Sequence, residues 1–263
     1  MQKRFEGQIV LITGAGSVGP GWGNGRATAV AFAAEGARVI GLDRDLESMA
    51  ETAERIAQAG GSFEPRHCDV TDLAAVAALV AGLGPRIDVL VNNVGGSAPG
   101  GPVEMAEEVW DAQIDTNLKS VFLLCKHVLP VMERQGGGAI VNLASTSGIR
   151  WTGAAQVAYA ASKAAVIQLS KVVAVQYAAR GIRVNTVVPG QMHTPMVEAR
   201  LAGQRAGGDV QAILAQRLAR IPLGFAGDGR DTAAAVLFLA SSDARFITGT
   251  ELVVDGGMSV RCG

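Results

Sequence analysis

Short apolar runs alternate with alanine-rich stretches along almost the whole chain, and this alternation constrains the fold more than any other feature of the sequence. Strands that alternate with helices predict a parallel sheet covered on both faces. We therefore expect an α/β fold, a Rossmann-like doubly wound parallel sheet of about seven strands with helices on both faces. The predicted strands are Ile9–Ile12, Val39–Leu42, a weaker one near Phe63–Cys68, Val89–Val91, Ile140–Leu143, Val184–Val188 and Leu252–Val254. The predicted helices lie at roughly 25–35, 46–59, 72–81, 105–133, 156–179 and 231–240.

The series of strands is unbroken, and no linker, repeat or low-complexity segment divides it. Residues 1–263 are therefore predicted to form a single domain that binds a dinucleotide and carries out catalysis. Residues 191–224 interrupt the alternation, because they are rich in Ala, Gly, Arg and Gln and predict one or two short helices in a long connection. Such a connection after a strand end is often functional. We interpret 191–224 as a substrate lid.

Charge and composition argue against several kinds of partner. The net charge is −1 without a block of like charges, so neither nucleic acid nor a membrane surface is an expected partner. No run approaches the roughly 20 apolar residues of a membrane span. The three cysteines lack metal or redox spacing and no signal-peptide core is present, which predicts reduced thiols in a cytoplasmic protein. The three histidines form no ligand cluster, so no metal site is predicted.

A glycine-rich turn follows the first strand directly and leads into a helix that begins near Arg26. Glycine lets the backbone approach a pyrophosphate, and the positive end of the helix favours the phosphate charge. The position of the turn between a strand and a helix therefore predicts a dinucleotide site. We expect the cofactor to contact Gly14, Ser17, Asn24 and Gly25.

The second strand ends at Asp43, eighteen residues after Gly25. An acidic residue at this position can accept hydrogen bonds from both hydroxyls of an adenosine ribose, and it repels a 2′-phosphate. Asp43 therefore favours NAD as the cofactor. Arg44 is the contrary observation, because a neighbouring guanidinium can partly neutralise a phosphate. NADP stays the alternative.

Three further strand ends carry residues that fit a dinucleotide. After the third strand, a carboxylate can reach the adenine amino group. After the fourth, a tight backbone can pass under the adenosine, and after the sixth, backbone and hydroxyl groups can hold the nicotinamide carboxamide. In that order, the residues are Asp69 and Val70, then Asn93 within Asn92–Gly95, then Pro189, Gly190 and Thr194.

Tyr159 and Lys163 lie four residues apart on a predicted helix and therefore face the same way. Ser145 ends the apolar run before that helix. Together they suit the transfer of a proton to and from a secondary alcohol while a cofactor takes or gives the hydride. A free phenol has a pKa near 10, and the charge of Lys163 favours the phenolate that acts as base. Ser145 would hold the substrate oxygen, with Ser147 as the alternative.

These motifs together resemble the short-chain dehydrogenase/reductase family, and the similarity covers nearly the whole chain. The glycine turn, Asn92–Gly95 and the pair Tyr159 and Lys163 are similar to the family's glycine, Asn-Asn-Ala-Gly and Tyr-x-x-x-Lys motifs. The resemblance places the catalytic asparagine at Asn117, where it would hold a water that links Lys163 to solvent. It also implies that Lys163 binds the nicotinamide ribose. Tyr159, Lys163 and Met192 complete the predicted cofactor contacts.

The glycine turn is longer than the family's usual one. About five extra residues separate Gly14 from Gly25, and Pro20 and Trp22 lie within this insertion. The enoyl reductase branch of the family also has a lengthened turn, but it has six residues between its tyrosine and lysine. Here three residues separate Tyr159 from Lys163. The spacing therefore favours alcohol–ketone chemistry over reduction of a carbon–carbon double bond.

Substrate specificity is expected to arise between Ser145 and Tyr159, after Asn93 and in the lid. The candidate pocket residues are Ser97, Trp151, Gln156 and His193. The favoured function is an NAD(H)-dependent oxidoreductase that interconverts a small-molecule secondary alcohol, cyclic or a dihydrodiol among the options, and its ketone. One alternative is an NADPH-dependent carbonyl or 3-oxoacyl carrier-protein reductase, and another is a catalytically silent nucleotide-binding regulator. The resemblance also implies a homotetramer or homodimer formed through the helices predicted at 105–133 and 156–179.

Overall fold

Seven parallel strands form one sheet through the centre of the molecule, as predicted. The computed structural model describes residues 3–197, 199 and 210–262. The spatial order of the strands is β3-β2-β1-β4-β5-β6-β7, so the chain builds outward from β1 in two directions. The strands are Ile9–Thr13 (β1), Arg38–Asp43 (β2), Ser62–His67 (β3), Val89–Asn92 (β4), Gly138–Leu143 (β5), Ile182–Pro189 (β6) and Glu251–Val254 (β7).

Helices cover both faces of the sheet. On one face, α1, α2 and α8 pack through side chains such as Phe32, Ile56 and Val236. On the other face, α3, α5 and α6 pack through side chains such as Val76 and Leu124. The helices are Asn24–Ala34 (α1), Ala50–Gln58 (α2), Leu73–Gly82 (α3), Glu107–Ile114 (α4), Ser120–Gln135 (α5), Val157–Tyr177 (α6), Val210–Leu218 (α7) and Gly229–Ala240 (α8).

The central strands are apolar on both faces because both faces are buried. In β1, Val10 and Ile12 point into one half of the core and Leu11 into the other. This explains why the sequences of the central strands are continuous apolar runs and do not alternate between apolar and polar residues. Since all the strands are parallel, their carboxyl ends lie along one edge of the sheet, where the predicted polar residues follow them.

The helix predicted at 105–133 contains an irregularity. A π-helical turn at Asp115–Lys119 separates α4 from α5 and carries Asn117, which is fully buried. Turns of this kind are frequent at functional sites. Apolar periodicity does not mark them, so the sequence predicted a single continuous helix.

Part of the predicted lid lies outside the described residues. Within 191–224, the structure describes 191–197, 199 and 210–224, which include α7. Residues 198 and 200–209 fall outside that range. The prediction of one or two short helices agrees with α7, and the role of the segment as a lid stays a prediction.

The segment Val157–Arg180 is long and apolar enough to span a membrane by length and composition alone. Core helices of soluble proteins pass the same test. Here the helix packs against β5 and β6 and buries the amino group of Lys163. Among the described residues, no group of three His, Cys, Asp or Glu side chains gathers as a metal site would require.

Candidate active site

Lys163 lies inside the molecule, one turn of α6 beyond Tyr159. Its side chain is 3% exposed, and its Nζ donates to the carbonyl oxygen of Leu143 at the end of β5, at 2.9 Å. The same Nζ lies 5.8 Å from the centre of the Tyr159 ring. Tyr159 itself is half-buried. The predicted pair is therefore brought together, with the ammonium beneath the phenol.

The burial of Lys163 changes its acidity. Removal of the ammonium from water disfavours its charged form and lowers the pKa of Lys163 from 10.5 to about 8. A lysine with this pKa can exchange its proton near neutral pH. The site therefore holds a cation that is both close to the phenol and able to take part in proton transfer.

Asn117 and Lys163 meet at Gly95. A Cβ atom added at Gly95 would lie 2.8 Å from Oδ1 of Asn117 and 2.9 Å from Nζ of Lys163. Asn117 is fixed by the backbone of Gly96, whose N–H donates to Oδ1 at 3.0 Å and whose carbonyl accepts from Nδ2 at 2.9 Å. The asparagine that the resemblance indicated therefore lies beside Lys163. Gly95 is required because a side chain would fill the space that they share.

Ser145 lies at the start of a short 3-10 turn, Thr146–Gly148, that rests on α6. Its Oγ accepts from the N–H of Ser147 at 3.2 Å. A Cβ at Gly148 would lie 2.7 Å from the backbone of Lys163, so this turn is in direct contact with the helix that carries the pair. The hydroxyl of Ser147 is instead 3.2 Å from that of Thr152. The Ser147 hydroxyl is thus engaged with Thr152, and Ser145 stays the predicted partner of the substrate oxygen.

The glycine turn brings α1 against the end of β1. Gly14 has a φ of +65°, and a Cβ at Gly25 would lie 1.8 Å from the carbonyl oxygen of Gly14, so these positions require glycine. Asn93 ties β4 to the turn, because its Nδ2 donates to the carbonyl oxygen of Gly14 at 2.9 Å. Thr13 accepts from the N–H of Asn93 at 2.9 Å. Thr13 was not predicted as a site residue, although it holds Asn93 in place.

Two features of this turn fit a pyrophosphate. Gly23 precedes α1 without a side-chain cap, so the N–H groups of the first helical turn stay available to an anion. The side-chain oxygen of Asn24 is buried, and no hydrogen-bond partner is found for it among the described residues. When the side-chain amide of Asn24 is rotated by 180°, its NH₂ group takes the place of the oxygen and can donate to a phosphate oxygen. These features agree with the predicted contacts of Asn24 and Gly25.

The insertion in the turn is anchored by a buried arginine that sequence reasoning did not single out. Arg26 is 2% exposed, and its Nη1 donates to the carbonyl oxygens of Gly19 at 3.1 Å and Gly21 at 2.8 Å. The same nitrogen lies 2.7 Å from a carboxylate oxygen of Glu51 on α2. The insertion is therefore a fixed part of the fold. Burial lowers the pKa of Arg26, and Glu51 opposes that shift.

Asp43, the predicted partner of the adenosine ribose, faces the glycine turn. One of its carboxylate oxygens accepts from the N–H of Gly16 at 3.2 Å, and the other accepts from the N–H of Asp45 at 3.2 Å. Ser17 is held nearby, because its N–H donates to the carbonyl oxygen of Ser48 at 3.1 Å. The carboxylate is half-buried beside the turn.

The residues predicted to contact the adenine lie beyond β3. Asp69 is exposed, and its Oδ1 accepts from the N–H and the hydroxyl of Thr71, which holds the pKa of Asp69 below its usual value. Val70 is 5% exposed. The backbone of Cys68 is tied to β2 by a hydrogen bond to the carbonyl oxygen of Asp43 at 2.9 Å. These two strand ends therefore lie side by side.

The residues predicted to contact the nicotinamide follow β6. The N–H of Gly190 donates to the carbonyl oxygen of Val254 at 2.9 Å, and a Cβ at Gly190 would lie 2.5 Å from the Asp255 side chain. Pro189 and Met192 are buried, and Thr194 is half-buried. They form one short continuous wall after the sixth strand.

Gln191 belongs to this wall and was not predicted. Its side-chain oxygen is buried, and no partner is found for it among the described residues. It lines a cavity of about 110 Å³ together with Met192 and Asp255. A buried amide oxygen without a partner fits the NH₂ group of a carboxamide. From the sequence, only the position of Gln191 next to Gly190 could have suggested a contact with the carboxamide.

The four predicted substrate residues fall into two groups. Gln156 pairs with Gly100 in a parallel bridge, which brings the segment after Ser97 against the start of α6. Trp151 is 70% exposed at the edge of a different cavity, and His193 is exposed, with its N–H bonded to the carbonyl oxygen of Gly227 at 2.7 Å. Gln156 and the segment after Ser97 are therefore linked at the start of α6, whereas Trp151 and His193 are exposed.

Comparison with known proteins identifies the family of this chain. A family model described as enoyl-(acyl carrier protein) reductase, within the short-chain dehydrogenase/reductase family, matches residues 19–259. The 3-oxoacyl-[acyl-carrier-protein] reductase FabG of Thermotoga maritima is 41% identical over 263 residues, which cover 98% of this chain and all of that protein. The chain belongs to the short-chain dehydrogenase/reductase family, whose members are NAD(P)-dependent oxidoreductases that act on CH–OH groups.

Two further proteins are similar to this chain over nearly its whole length. The 2,5-dichloro-2,5-cyclohexadiene-1,4-diol dehydrogenase LinX of Sphingobium indicum is 39% identical over 264 residues, which cover 99% of each chain. A crystal structure of a short-chain dehydrogenase/reductase from Burkholderia xenovorans is 62% identical, with a TM-score of 0.96 over 99% of this chain and all of that one. The predicted family and fold are confirmed.

Proposed function

We propose that the protein is an NAD(H)-dependent oxidoreductase that interconverts a secondary alcohol and its ketone, with Tyr159 as the acid–base residue. The observation that carries this proposal is the buried ammonium of Lys163, 5.8 Å from the centre of the Tyr159 ring and close to Asn117. Such a cation stabilises a phenolate next to it. A catalytically silent regulator has no need of this arrangement.

The residues of the chain move and hold the proton. In the oxidation direction, the Tyr159 phenolate accepts the hydroxyl proton of the alcohol, and in reduction the neutral phenol returns it. Ser145 holds the substrate oxygen and stabilises the charge that develops on it. The charge of Lys163 favours the phenolate, and Asn117 holds the water through which Lys163 exchanges protons with solvent. When bound, the nicotinamide supplies the hydride chemistry.

The choice of NAD over NADP rests on Asp43. Its carboxylate accepts from the backbone of the glycine turn and lies where the ribose of the cofactor is expected. A carboxylate can accept from the two ribose hydroxyls, whereas it repels a 2′-phosphate. Arg44 is exposed next to it and supports the NADPH-dependent alternative.

The relatives support two substrate classes. The similarity to LinX, named as a dehydrogenase of a cyclic diol, supports a cyclic alcohol or dihydrodiol. The similarity to FabG, named as a 3-oxoacyl carrier-protein reductase, supports the second candidate function. The three residues between Tyr159 and Lys163 favour either of these over reduction of a carbon–carbon double bond. We further propose that 191–224 closes over the substrate.

The first experiment follows the absorbance of reduced nicotinamide with a panel of secondary alcohols and cyclic diols, with NAD and NADP side by side. We expect turnover with NAD that is lost in Tyr159→Phe, while calorimetry shows that this variant still binds NAD. The Asp43→Ser variant removes the carboxylate, so we expect its preference to shift toward NADP. Turnover of the wild-type protein with NADP alone would overturn the role given to Asp43. Undiminished turnover by Tyr159→Phe would overturn the mechanism.

A further inference from the structure

A second cavity, of about 300 Å³, lies beside the segment that joins Ser145 to Tyr159. Three arginines line it, and they come from three separate parts of the chain: Arg150, Arg220 and Arg261. The exposed ring of Trp151 forms part of its edge. The cavity is therefore large enough for a small polar group, and it is lined by positive charge.

The arginines are held in place by backbone atoms rather than by carboxylates. Arg150 donates through Nη1 to the carbonyl oxygens of Met258, at 3.0 Å, and Ser259, and Arg220 donates through Nη1 to that of Thr152 at 3.0 Å. Arg261 donates through Nη1 to the carbonyl oxygen of Ala219. The described bonds thus leave Nε and Nη2 of each guanidinium, the edge that binds an oxyanion with two hydrogen bonds.

These three arginines also differ from most others in the chain in their ion pairs. In the part of the chain that the structure describes, none of the three forms a salt bridge. Eight other arginines do so with Asp or Glu: Arg4, Arg26, Arg38, Arg55, Arg66, Arg86, Arg180 and Arg230. Three like charges around one cavity repel one another, and an anion in the cavity relieves that repulsion.

Two of the segments that line the cavity are ones from which substrate specificity is predicted to arise. Arg150 and Trp151 lie between Ser145 and Tyr159, and Arg220 lies in the segment 191–224. Met258 forms a third side of the cavity. Its methyl group would lie 3.6 Å from a Cβ added at Gly190, which belongs to the segment predicted to contact the nicotinamide. The cavity is therefore adjacent to the segment after β6 and to the segment between Ser145 and Tyr159.

We propose that this cavity binds an anionic group of the substrate, a carboxylate, sulfonate or phosphate, while the alcohol carbon of the same molecule lies at Tyr159. This inference rests on the proposed function, since it names the substrate class of the same site. Planar guanidinium groups suit all three oxyanions. The substrate is thus an anionic secondary alcohol or its keto counterpart.

The turnover experiment uses matched pairs: hydroxy acids with increasing numbers of carbons between hydroxyl and carboxylate, and their methyl esters. At the length that fits, we expect the wild-type protein to favour the acid in kcat/KM. In the double variant Arg220→Gln with Arg261→Gln, we expect the acid-to-ester ratio of kcat/KM to fall about tenfold, mainly through the KM of the acid. Arg245→Gln, which removes an exposed arginine outside the cavity, is the control and leaves that ratio unchanged.

A binding experiment tests the cavity without turnover. Inorganic phosphate is titrated calorimetrically into the protein saturated with NAD, so that the pyrophosphate site is occupied. We expect phosphate to bind the wild-type protein and Arg245→Gln, to bind the double variant about tenfold more weakly, and to compete with the acid substrate. NAD binding by the double variant shows that it is folded.

The outcomes separate this inference from the proposed function. If the alcohols are turned over but acids are never favoured over esters and phosphate does not bind, the inference is wrong and the proposed function stands. If phosphate binding needs the arginines but does not compete with the acid, the cavity serves a separate anionic effector, which overturns the assignment to the substrate. If no alcohol is turned over while phosphate binding needs the arginines, the anion site stands and the proposed function loses support.

Discussion

At the scale of the residue, Lys163 meets two opposed requirements. Catalysis needs a positive charge next to Tyr159, whereas burial of that charge destabilises the folded state. The depression of its pKa from 10.5 to about 8 corresponds to about 3 kcal/mol of free energy of unfolding. The described hydrogen bond to the carbonyl oxygen of Leu143 compensates only part of that penalty. Under the proposed function, Lys163 is therefore a catalytic group that lowers the stability of the folded state.

Replacement of Lys163 by Met should therefore separate stability from activity. At pH 7 we expect the Lys163→Met variant to lose turnover and to gain up to about 3 kcal/mol in free energy of unfolding, measured with urea. The folded-state pKa of Lys163 lies below the unfolded value, so the unfolded wild-type chain binds more protons between about pH 8 and 10.5. Wild-type stability rises with pH in that window, and the difference between the two proteins should shrink there. A variant less stable than the wild type at pH 7 would contradict this account.

Gly95 offers a second test at the same scale. In Gly95→Ala, the new methyl group would lie within 3 Å of Oδ1 of Asn117 and Nζ of Lys163. Both atoms are the ends of side chains that can move, so we expect a small loss of stability but a fall in kcat of about 10- to 100-fold. Gly82→Ala is the control, because nothing lies within 4 Å of its new methyl group. Equal kcat values for the two variants would show that the position of Lys163 is not critical.

At the scale of the element, the lengthened glycine turn is an anchored structure. The buried guanidinium of Arg26 donates to carbonyl oxygens of the turn. The guanidinium carbon of Arg55 lies 4.5 Å from the centre of the Trp22 ring. Gly229, the first residue of α8, bonds through its N–H to the carbonyl oxygen of Trp22 at 3.3 Å. The insertion therefore links α1, α2 and α8 at the pyrophosphate end of the site.

Arg26 should consequently influence cofactor binding without touching the cofactor. In Arg26→Met, the carbonyl oxygens of Gly19 and Gly21 lose their buried donor, so the turn loosens. We expect the KM for NAD to rise about tenfold with a smaller change in kcat, and the melting temperature to fall. Arg38→Met removes an exposed arginine that pairs with Glu64 at 2.6 Å, and it should leave the KM for NAD unchanged. Equal values for both variants would contradict the anchoring role of Arg26.

The same elements show what the sequence can and cannot predict. The central strands were predicted because burial on both faces makes them continuous apolar runs, such as Ile9–Thr13. The edge strand Ser62–His67 is mostly exposed and polar, which is why only a weaker strand was predicted near Phe63–Cys68. The convergence of Tyr159 and Lys163 was predictable from helical spacing alone. The π turn at Asp115–Lys119 was not, because apolar periodicity does not distinguish it from regular helix. The anchoring by Arg26 was not predictable either, since it depends on tertiary contacts between a turn and a distant helix.

At the scale of the whole molecule, two helices that cover the same face of the sheet, α5 and α6, expose apolar side chains. Phe122 on α5 is 51% exposed, and Val172 and Val175 on α6 are 49% and 79% exposed. These are the two helices through which the sequence predicted assembly. Apolar surface of this kind gains stability when a second copy covers it. We propose that the protein is a homotetramer or homodimer that uses this surface.

A charge on that surface should dissociate the assembly. In Val175→Glu, a carboxylate would have to be buried between two copies without a partner, which costs several kcal/mol. We therefore expect size-exclusion chromatography with light scattering to show the wild-type protein as an oligomer and this variant as a smaller species. Leu73→Glu, at a 48% exposed position on α3, is the control and should keep the wild-type mass. A wild-type monomer would refute the assembly, whereas an unchanged mass for Val175→Glu would place the interface on another face. Because α6 also carries Tyr159 and Lys163, the dissociated variant should lose part of its turnover together with its partners.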